Sequence, residues 1–452
     1  MARGGRGVCA LVGRAGLVTR QPWVVGNRWD TLDGVDPEIL PKVSVIVAHY
    51  EQPAELARTL SALSMQDYPP ELLEIVVADD GSPGDVRVPD GVILVRQEDR
   101  GFRLAAVRNL GVRASSGDVL CFLDADTAPE PGYVRALTRL PALLPEAVTV
   151  GRRRHADFSG IAPEAPVLEA VVDRELAEPA WLAQEYARSR DLLDPDDRSY
   201  RFVIGAVIAC SRRLFDETGG FDESFSAYGG EDWEWAHRMW QAGAVLAHVP
   251  TAVAWHDGPE WAERSGSGLE RANAQTMRLV SSIPIGGSAP RGLLSDAPDL
   301  AVRLRGAHTP EALFVAVDSI LAAFPLARVM LDATTTALAG DPRVVVGDEQ
   351  PDARVVWELD RPVVVLEPAW IAECVAGLGT GDVGTVDLAA ADGSSLGVLR
   401  SRRAMRRAVR WGTEEGFTTR TIAANGVHLL RSDPRVEAWV GGWGGPDQFC
   451  SA

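Results

Sequence analysis

Between Lys42 and Asp126 the chain alternates apolar, β-branched runs with helical stretches, and every run ends in polar residues. KVSVIVAHY (Lys42–Tyr50), LEIVVADDGS (Leu73–Ser82) and VLCFLDAD (Val119–Asp126) read as buried strands. PAELARTLSALSMQ sets Leu56, Ala57, Leu60 and Leu63 along one helical face. LAAVRNLGVRASSGD predicts a helix from Leu104, closing at Ser116-Gly117 and carrying Gly111 inside it. Strand–helix–strand–helix–strand order implies an α/β fold with a parallel sheet and right-handed crossovers. Such sheets bind ligands beyond the carboxyl ends of their strands. His49-Tyr50-Glu51, Asp79-Asp80-Gly81 and Asp124-Ala125-Asp126 all fall at those ends, which makes that edge the expected binding face.

The triplet Asp124-Ala125-Asp126 follows three apolar residues directly. Two carboxylates brought together at the end of a buried strand are costly unless a cation or hydrogen bonds offset them. Taken alone the triplet also describes an ordinary acidic turn; three strands delivering polar groups to one edge favour a site. The formal net charge of −18 argues against nucleic acid or an anionic membrane surface as a partner. Any anionic substrate then needs local cations, from metal or arginine. The five cysteines, Cys9, Cys121, Cys210, Cys374 and Cys450, form no Cys-x-x-Cys pair, which fits a reducing cytoplasm. No apolar run is long enough for a transmembrane helix, and the glycine- and arginine-broken N-terminus makes a poor signal peptide.

Residues 152–200 are rich in Pro, Asp, Glu and Arg and read as an excursion from the sheet. A strand over Phe202–Ser211 and a helix over Arg212–Thr218 follow, with Gly219-Gly220 as the stop. YGGEDWEW (Tyr228–Trp235) then sets a Gly-Gly pair before a helix that starts on Glu231 and Asp232, where the macrodipole favours carboxylates. An acidic first turn with Trp233, Trp235 and Trp240 as core is the plain alternative.

Taken in order, the strand–Tyr, strand–Asp-Asp-Gly-Ser, strand–Asp-x-Asp and Gly-Gly-Glu-Asp segments resemble family 2 glycosyltransferases of the GT-A fold, a Rossmann-like nucleotide-diphospho-sugar transferase architecture. YGGEDWE is similar to the motif shared by β-1,4-galactosyltransferases and polypeptide N-acetylgalactosaminyltransferases. The resemblance covers roughly residues 40–275. It implies Mn²⁺ or Mg²⁺ held by Asp126, with His256 of AWHDG as a further ligand and Asp124 on the ribose or on the metal through water; His248 is structural. Hard dications take oxygen ligands and share them with phosphate. It further implies Tyr50 and Asp80 on the nucleobase, which favours a UDP-sugar. Arg103, Arg108 and Asn109 are donors for the diphosphate, although Arg108 also fits a solvated helix position. Asp232 is the implied general base of an inverting transfer, with Glu231 orienting the acceptor and Trp233 beside it. Tyr228, where galactosyltransferases carry tryptophan, sits with Gly229 and Gly230 on a closing loop. The acceptor class, a glycan, a lipid-linked carrier reached by peripheral membrane contact, or a small molecule, stays open.

Residues 295–452 look like a second, degenerate copy of this α/β plan. Val43–Leu63 aligns without a gap with Leu300–Ile320, matching Pro53 to Pro310; LEIVVADDGS faces LARVMLDATT, VLCFLDADTAP faces VVVLEPAWI, and both halves present Ser-Arg-Arg at Ser211 and Ser401. Tyr50 and Asp80 then face Ala307 and a threonine near 334, and the whole Asp-x-Asp is missing. The expected organisation is an extension over 1–40, a catalytic domain over 41–280, a linker over 281–294 and the copy over 295–452. A haloacid-dehalogenase phosphatase is excluded because no lysine follows Asp124, and a nucleotidyltransferase because AHYEQP replaces the Gly-rich, basic loop after the first strand. A non-catalytic nucleotide-sugar or glycan-binding relative is the remaining alternative.

Overall fold

The computed structural model describes residues 8–12, 18–259, 268–295, 297–333, 335–347 and 352–451. It divides into two compact units, Met1–Trp240 with Ala244–Arg278, and Gln241–Gly243 with Leu279–Ala452.

In the first unit, strands β1 (Val43–His49), β2 (Leu73–Asp79), β3 (Ile93–Arg96), β4 (Val119–Asp124), β5 (Thr127–Pro129), β6 (Ala147–Ala156), β7 (Glu175–Leu176), β8 (Val207–Ser211) and β9 (Val245–Asp257) form one sheet. Its order is β3-β2-β1-β4-β8-β6-β9-β5, with β7 paired to β6. The β3-β2-β1-β4 half is parallel, β8 runs antiparallel to both β4 and β6, and β9 is parallel to β6. Every residue of β1 is buried, as expected of a parallel strand covered on both faces. Helices α1 (Pro53–Ser64) and α2 (Leu104–Ala114) are the crossovers. Gly111 explains how α2 settles on the sheet: a Cβ there would meet Ile46 Cγ2 at 2.5 Å and Ala78 Cβ at 3.3 Å.

Further helices are α3 (Tyr133–Leu143), α4 (Val167–Ala170), α5 (Ala180–Arg188), α6 (Arg212–Thr218), α7 (Glu231–Gln241) and α8 (Gly268–Ser282). Helix α6 falls on its expected residues, capped by the Ser211 hydroxyl, which accepts from the Leu214 N–H, and stopped by left-handed Gly219. The strand expected over 202–211 begins only at Val207, because Ser199–Phe202 form a 3-10 turn and the Gly205 N–H donates to Asp232 instead of to a ladder. Within the N-terminal extension Val8–Val12 and Val18–Pro22 pair as a two-stranded antiparallel sheet, where no regular structure was expected. Beyond it, Asn27 Nδ2 donates to Leu192 O and Leu246 O, and Asn27 Oδ1 accepts from the Leu246 N–H.

The second unit holds β10 (Leu300–Leu304), α9 (Pro310–Ala323), β11 (Arg328–Leu331), β12 (Val344–Val346), β13 (Val355–Leu359), β14 (Val363–Val365), α10 (Pro368–Gly377), β15 (Val383–Ala389), β16 (Ser395–Ser401), α11 (Arg402–Trp411), β17 (Thr418–Ala423), β18 (Val427–Leu429) and α12 (Val436–Gly441). Its main sheet runs β12-β11-β10-β13-β16-β15-β17. The β12-β11-β10-β13 half is parallel, β16 is antiparallel to β13 and β15, and β17 is parallel to β15. In order and direction these seven strands repeat β3-β2-β1-β4-β8-β6-β9 of the first unit. The register corrects one alignment. Val355, not the VVVLEPAWI segment, lies beside Leu300 as Val119 lies beside Val43, and VVV forms β14, the counterpart of β5. The first acid of the triplet therefore survives as Asp360. Thr334 lies outside the described residues.

Candidate active site at the carboxyl edge

At the end of β2, Asp79 is wholly buried and spent on structure. It accepts from the Ser82 hydroxyl and the Gly81 and Ser82 N–H groups, and pairs with His49 Nδ1 at 2.8 Å. Burial pushes its pKa up, but the Ser82 and His49 bonds outweigh that and hold it below the usual range. Asp80 beside it is aimed by two donors, Gln97 Nε2 at 2.5 Å and the Arg103 N–H at 2.8 Å. Gly81, at φ +90°, lets the Asp99 backbone pass where a Cβ would meet it at 2.4 Å. Tyr50 stands 41% exposed at the head of β1, with Asp99 within hydrogen-bonding reach of its hydroxyl. Gln97 and Asp99 were not read from the sequence; they follow the short edge strand β3, whose alternating pattern is the only signal available.

The two residues expected to meet a diphosphate from α2 do otherwise. Arg108 is 1% exposed, with Nη2 on Asp124 Oδ1 at 2.9 Å and Nη1 on Glu231 Oε1 at 3.3 Å. The side-chain amide of Asn109 pairs with both backbone groups of Phe221, at 2.8 Å and 3.0 Å, and with Glu223. Both side chains fix the loops leading into α7 rather than facing a ligand. Arg103 turns its guanidinium to Glu98 O while its N–H serves Asp80.

Asp126, in the turn just before β5, and His256, on the antiparallel neighbour β9, come together, Oδ2 to Nε2 at 3.5 Å. Gln52 Nε2 donates to Asp126 Oδ2 at 3.2 Å. Burial would raise the Asp126 pKa; hydrogen bonding and charge from His256, and the Gln52 amide, hold it down to about 2. His256 Nδ1 donates to Gly258 O at 3.1 Å, which leaves Nε2 turned toward Asp126. A carboxylate oxygen and an imidazole nitrogen turned toward each other are both atoms that a divalent ion can take as ligands. Among the described residues no group of three or more His, Cys, Asp or Glu side chains surrounds one point. A two-residue set is still adequate for Mg²⁺-type ions, which keep waters and take substrate phosphate oxygens. Asp124 gives one oxygen to Arg108 and stays apart from the pair, though its side chain is 30% exposed.

At the start of α7, Glu231 and Asp232 lie side by side. Asp232 Oδ2 accepts from the Gly205 N–H at 3.0 Å and Oδ1 from the Trp233 N–H at 2.8 Å. Burial, and for Glu231 also the Asp232 charge, pushes both pKa values above the usual carboxylate range, against the pull of Arg108. A carboxylate raised toward neutrality while still held in place is suited to proton abstraction. Tyr228 is 50% exposed and its ring lies 5.6 Å from Phe102, a residue the sequence reading missed; Gly229 and Gly230 follow at φ +88° and +99°. Trp233 packs edge-on against Tyr200.

Comparison with known proteins bears on this arrangement. Residues 44–178 match the glycosyl transferase family 2 model, and residues 187–254 match the model described as the N-terminal domain of galactosyltransferase. The chain is 29% identical to Escherichia coli chondroitin synthase over 275 residues, 54% of this chain and 39% of that one. It is 31% identical to validoxylamine A glucosyltransferase of Streptomyces hygroscopicus subsp. limoneus over 233 residues, 46% and 49% of the two chains. A solved mannosyltransferase, PcManGT from Pyrobaculum calidifontis in complex with GDP-Man and Mn²⁺, aligns at a TM-score of 0.39 and 22% identity, covering 60% of this chain and 69% of that one. The chain spans less than half the length of these two curated relatives. The similarity to glycosyltransferases thus lies over residues 44–254, where the family 2 model and the galactosyltransferase model match in succession. No helix among the described residues is long and apolar enough to cross a membrane.

Proposed function

We propose that the first unit transfers a sugar from a nucleoside diphosphate sugar, UDP-linked, to an acceptor hydroxyl with inversion at the anomeric carbon. The observation that carries this reading is the pairing of Asp126 with His256 Nε2 at the carboxyl edge of the sheet, together with Asp232 held by backbone N–H groups at the start of α7. Tyr50 stacks on the base and Asp80 accepts from its ring N–H. Asp126 and His256 would hold Mn²⁺ or Mg²⁺, with Asp124 at the ribose. Once bound, the ion supplies charge neutralisation for the departing diphosphate.

Asp232 takes the proton of the acceptor hydroxyl as that oxygen bonds to the anomeric carbon. The bond from that carbon to the diphosphate oxygen breaks, and the nucleoside diphosphate leaves with the electron pair. A base placed in this way contributes roughly 10²–10⁴-fold. Glu231, tied to Arg108, orients the acceptor, and Tyr228 closes over it on the Gly229-Gly230 hinge, with Trp233 lining the acceptor side. The acceptor is a glycan, lipid-linked or small-molecule alcohol.

The test is nucleotide release from a panel of UDP-sugars, with Mn²⁺ and with EDTA, for wild type, Asp126→Ala and Asp232→Asn. Release from one sugar that needs the metal and disappears in both variants is expected. Binding of UDP and Mn²⁺ with no release from any sugar, even with acceptors added, would instead favour a binding protein.

A further inference from the structure

The two units share more than a strand order. Pro53 and Pro310 each open the helix after the first strand, and Val119 beside Val43 matches Val355 beside Leu300. Ser211 faces Val119, and Ser401 faces Val355. Each of these serines precedes an Arg-Arg helix that ends in a left-handed glycine, Gly219 or Gly412. Even the helix entry repeats: the Arg212 N–H donates to Asp118 O and the Arg402 N–H to Arg354 O, both at 2.9 Å.

This register allows a position-by-position reading of the second unit. Tyr50 corresponds to Ala307, Asp124 to Asp360 and Asp126 to Pro362. His256 lies opposite Thr127, and the residue opposite its counterpart Val363 is Leu429. The metal pair is thus replaced by two side chains with no donor atom. Between β12 and β13 only residues 347–354 intervene, where the first unit spends 97–118 on α2 and Arg108. After Gly412 only residues 413–417 precede β17, where the first unit carries the Gly-Gly-Glu-Asp segment and α7. Ala307 and Asp360 are exposed at this edge.

We infer that the second unit is an internal repeat that kept the sheet and lost the transfer machinery, so that these two units contain one donor site and add one kind of sugar. The inference rests on the function proposed for the first unit. It also places the reaction. The acceptor hydroxyl must be supplied by another reaction, and any product that alternates two sugars requires a second nucleotide-sugar-dependent transferase, which attaches a different sugar to the one added here.

The test is equilibrium binding of UDP with Mn²⁺, and separately GDP with Mn²⁺, to the full chain. Mass analysis of acceptors incubated with two donors at once accompanies it. One nucleotide per chain, lost in Asp126→Asn and retained in Asp360→Ala, with a single sugar type on the product, is expected. Two nucleotides per chain, or incorporation of two sugars of which Asp126→Asn stops only one, overturns the single-site inference and leaves the first unit's reading intact. One nucleotide that survives Asp126→Asn and is lost in Asp360→Ala overturns both. Asp126→Asn and Asp360→Ala preserve side-chain size or remove an exposed group, and unchanged melting curves confirm that they fold.

Discussion

Arg108 lies 3.3 Å from Glu231 and, through its other terminal nitrogen, 2.9 Å from Asp124, so one buried guanidinium joins the sheet edge to the start of α7. Its charge also acts on Asp232, opposing the rise that burial imposes. Removing that charge raises the Asp232 pKa further, so the base ionises only at higher pH. In Arg108→Gln the rising limb of the kcat/KM–pH profile therefore moves to higher pH. Breaking a buried pair from one side costs about 3–5 kcal/mol, so a lower Tm accompanies it. A profile that keeps its rising limb while Tm falls would reduce Arg108 to a structural role.

Asp232→Asn should leave the fold almost unchanged, because an amide oxygen still accepts from the Gly205 or Trp233 N–H. Turnover should fall by roughly 10²–10⁴. Sugar transfer by single-turnover assay and Tm measured on the same sample separate the two effects; a loss under tenfold would remove Asp232 from the role of base.

The Phe102–Tyr228 contact links the donor loop to the acceptor loop. An aromatic pair is worth about 0.5–1.5 kcal/mol, or roughly 2–10-fold. Phe102→Ala should raise the KM for acceptor by about that factor and Phe102→Tyr should restore it. Unchanged acceptor kinetics in Phe102→Ala would mean the ring contact has no part in closure.

Glu74, remote from the chemistry, gives a stability test. It accepts from Ser44, from the Ser116 N–H and hydroxyl and from Lys42, the chain's only lysine. Burial raises its pKa, but those bonds win and hold it down to about 2. A depressed carboxylate stabilises above its ordinary pKa near 4.5 and loses that contribution as pH falls toward 2. Glu74→Gln should lower stability at neutral pH by about 1 kcal/mol, since solvent screens this partly exposed cluster, and flatten the acid limb between those values. Denaturant titrations at pH 7 and pH 3 decide it: an equal loss at both would refute the linkage.

What was legible followed from pattern. Continuous apolar runs specify a parallel sheet covered on both faces, and the acids at their ends mark the ligand edge because nothing buried tolerates them unpaired. Asp124 and Asp126 could be seen in this way, whereas the roles of His256, Glu231 and Asp232 came from the resemblance of their segments to a known family. The fates of Arg108 and Asn109 could not, because their partners Glu231, Phe221 and Glu223 lie more than a hundred positions away in the chain. Period also misplaces a strand when backbone groups are diverted, as Gly205 is by Asp232, and a run of valines such as Val363–Val365 fits several registers equally until the neighbouring strands choose one.

The antiparallel strand β8, lodged between β4 and β6, governs how the first sheet is completed during synthesis. Residues 147–156 leave the ribosome long before 207–211, so β6 waits with an open apolar edge while the whole excursion is made. In the second unit the equivalent strands β15 and β16 are consecutive and close as a hairpin. Local closure is fast and long-range insertion slow. Strand order alone therefore makes insertion of β8 a long-range step in the first unit, whereas its counterpart in the second closes locally.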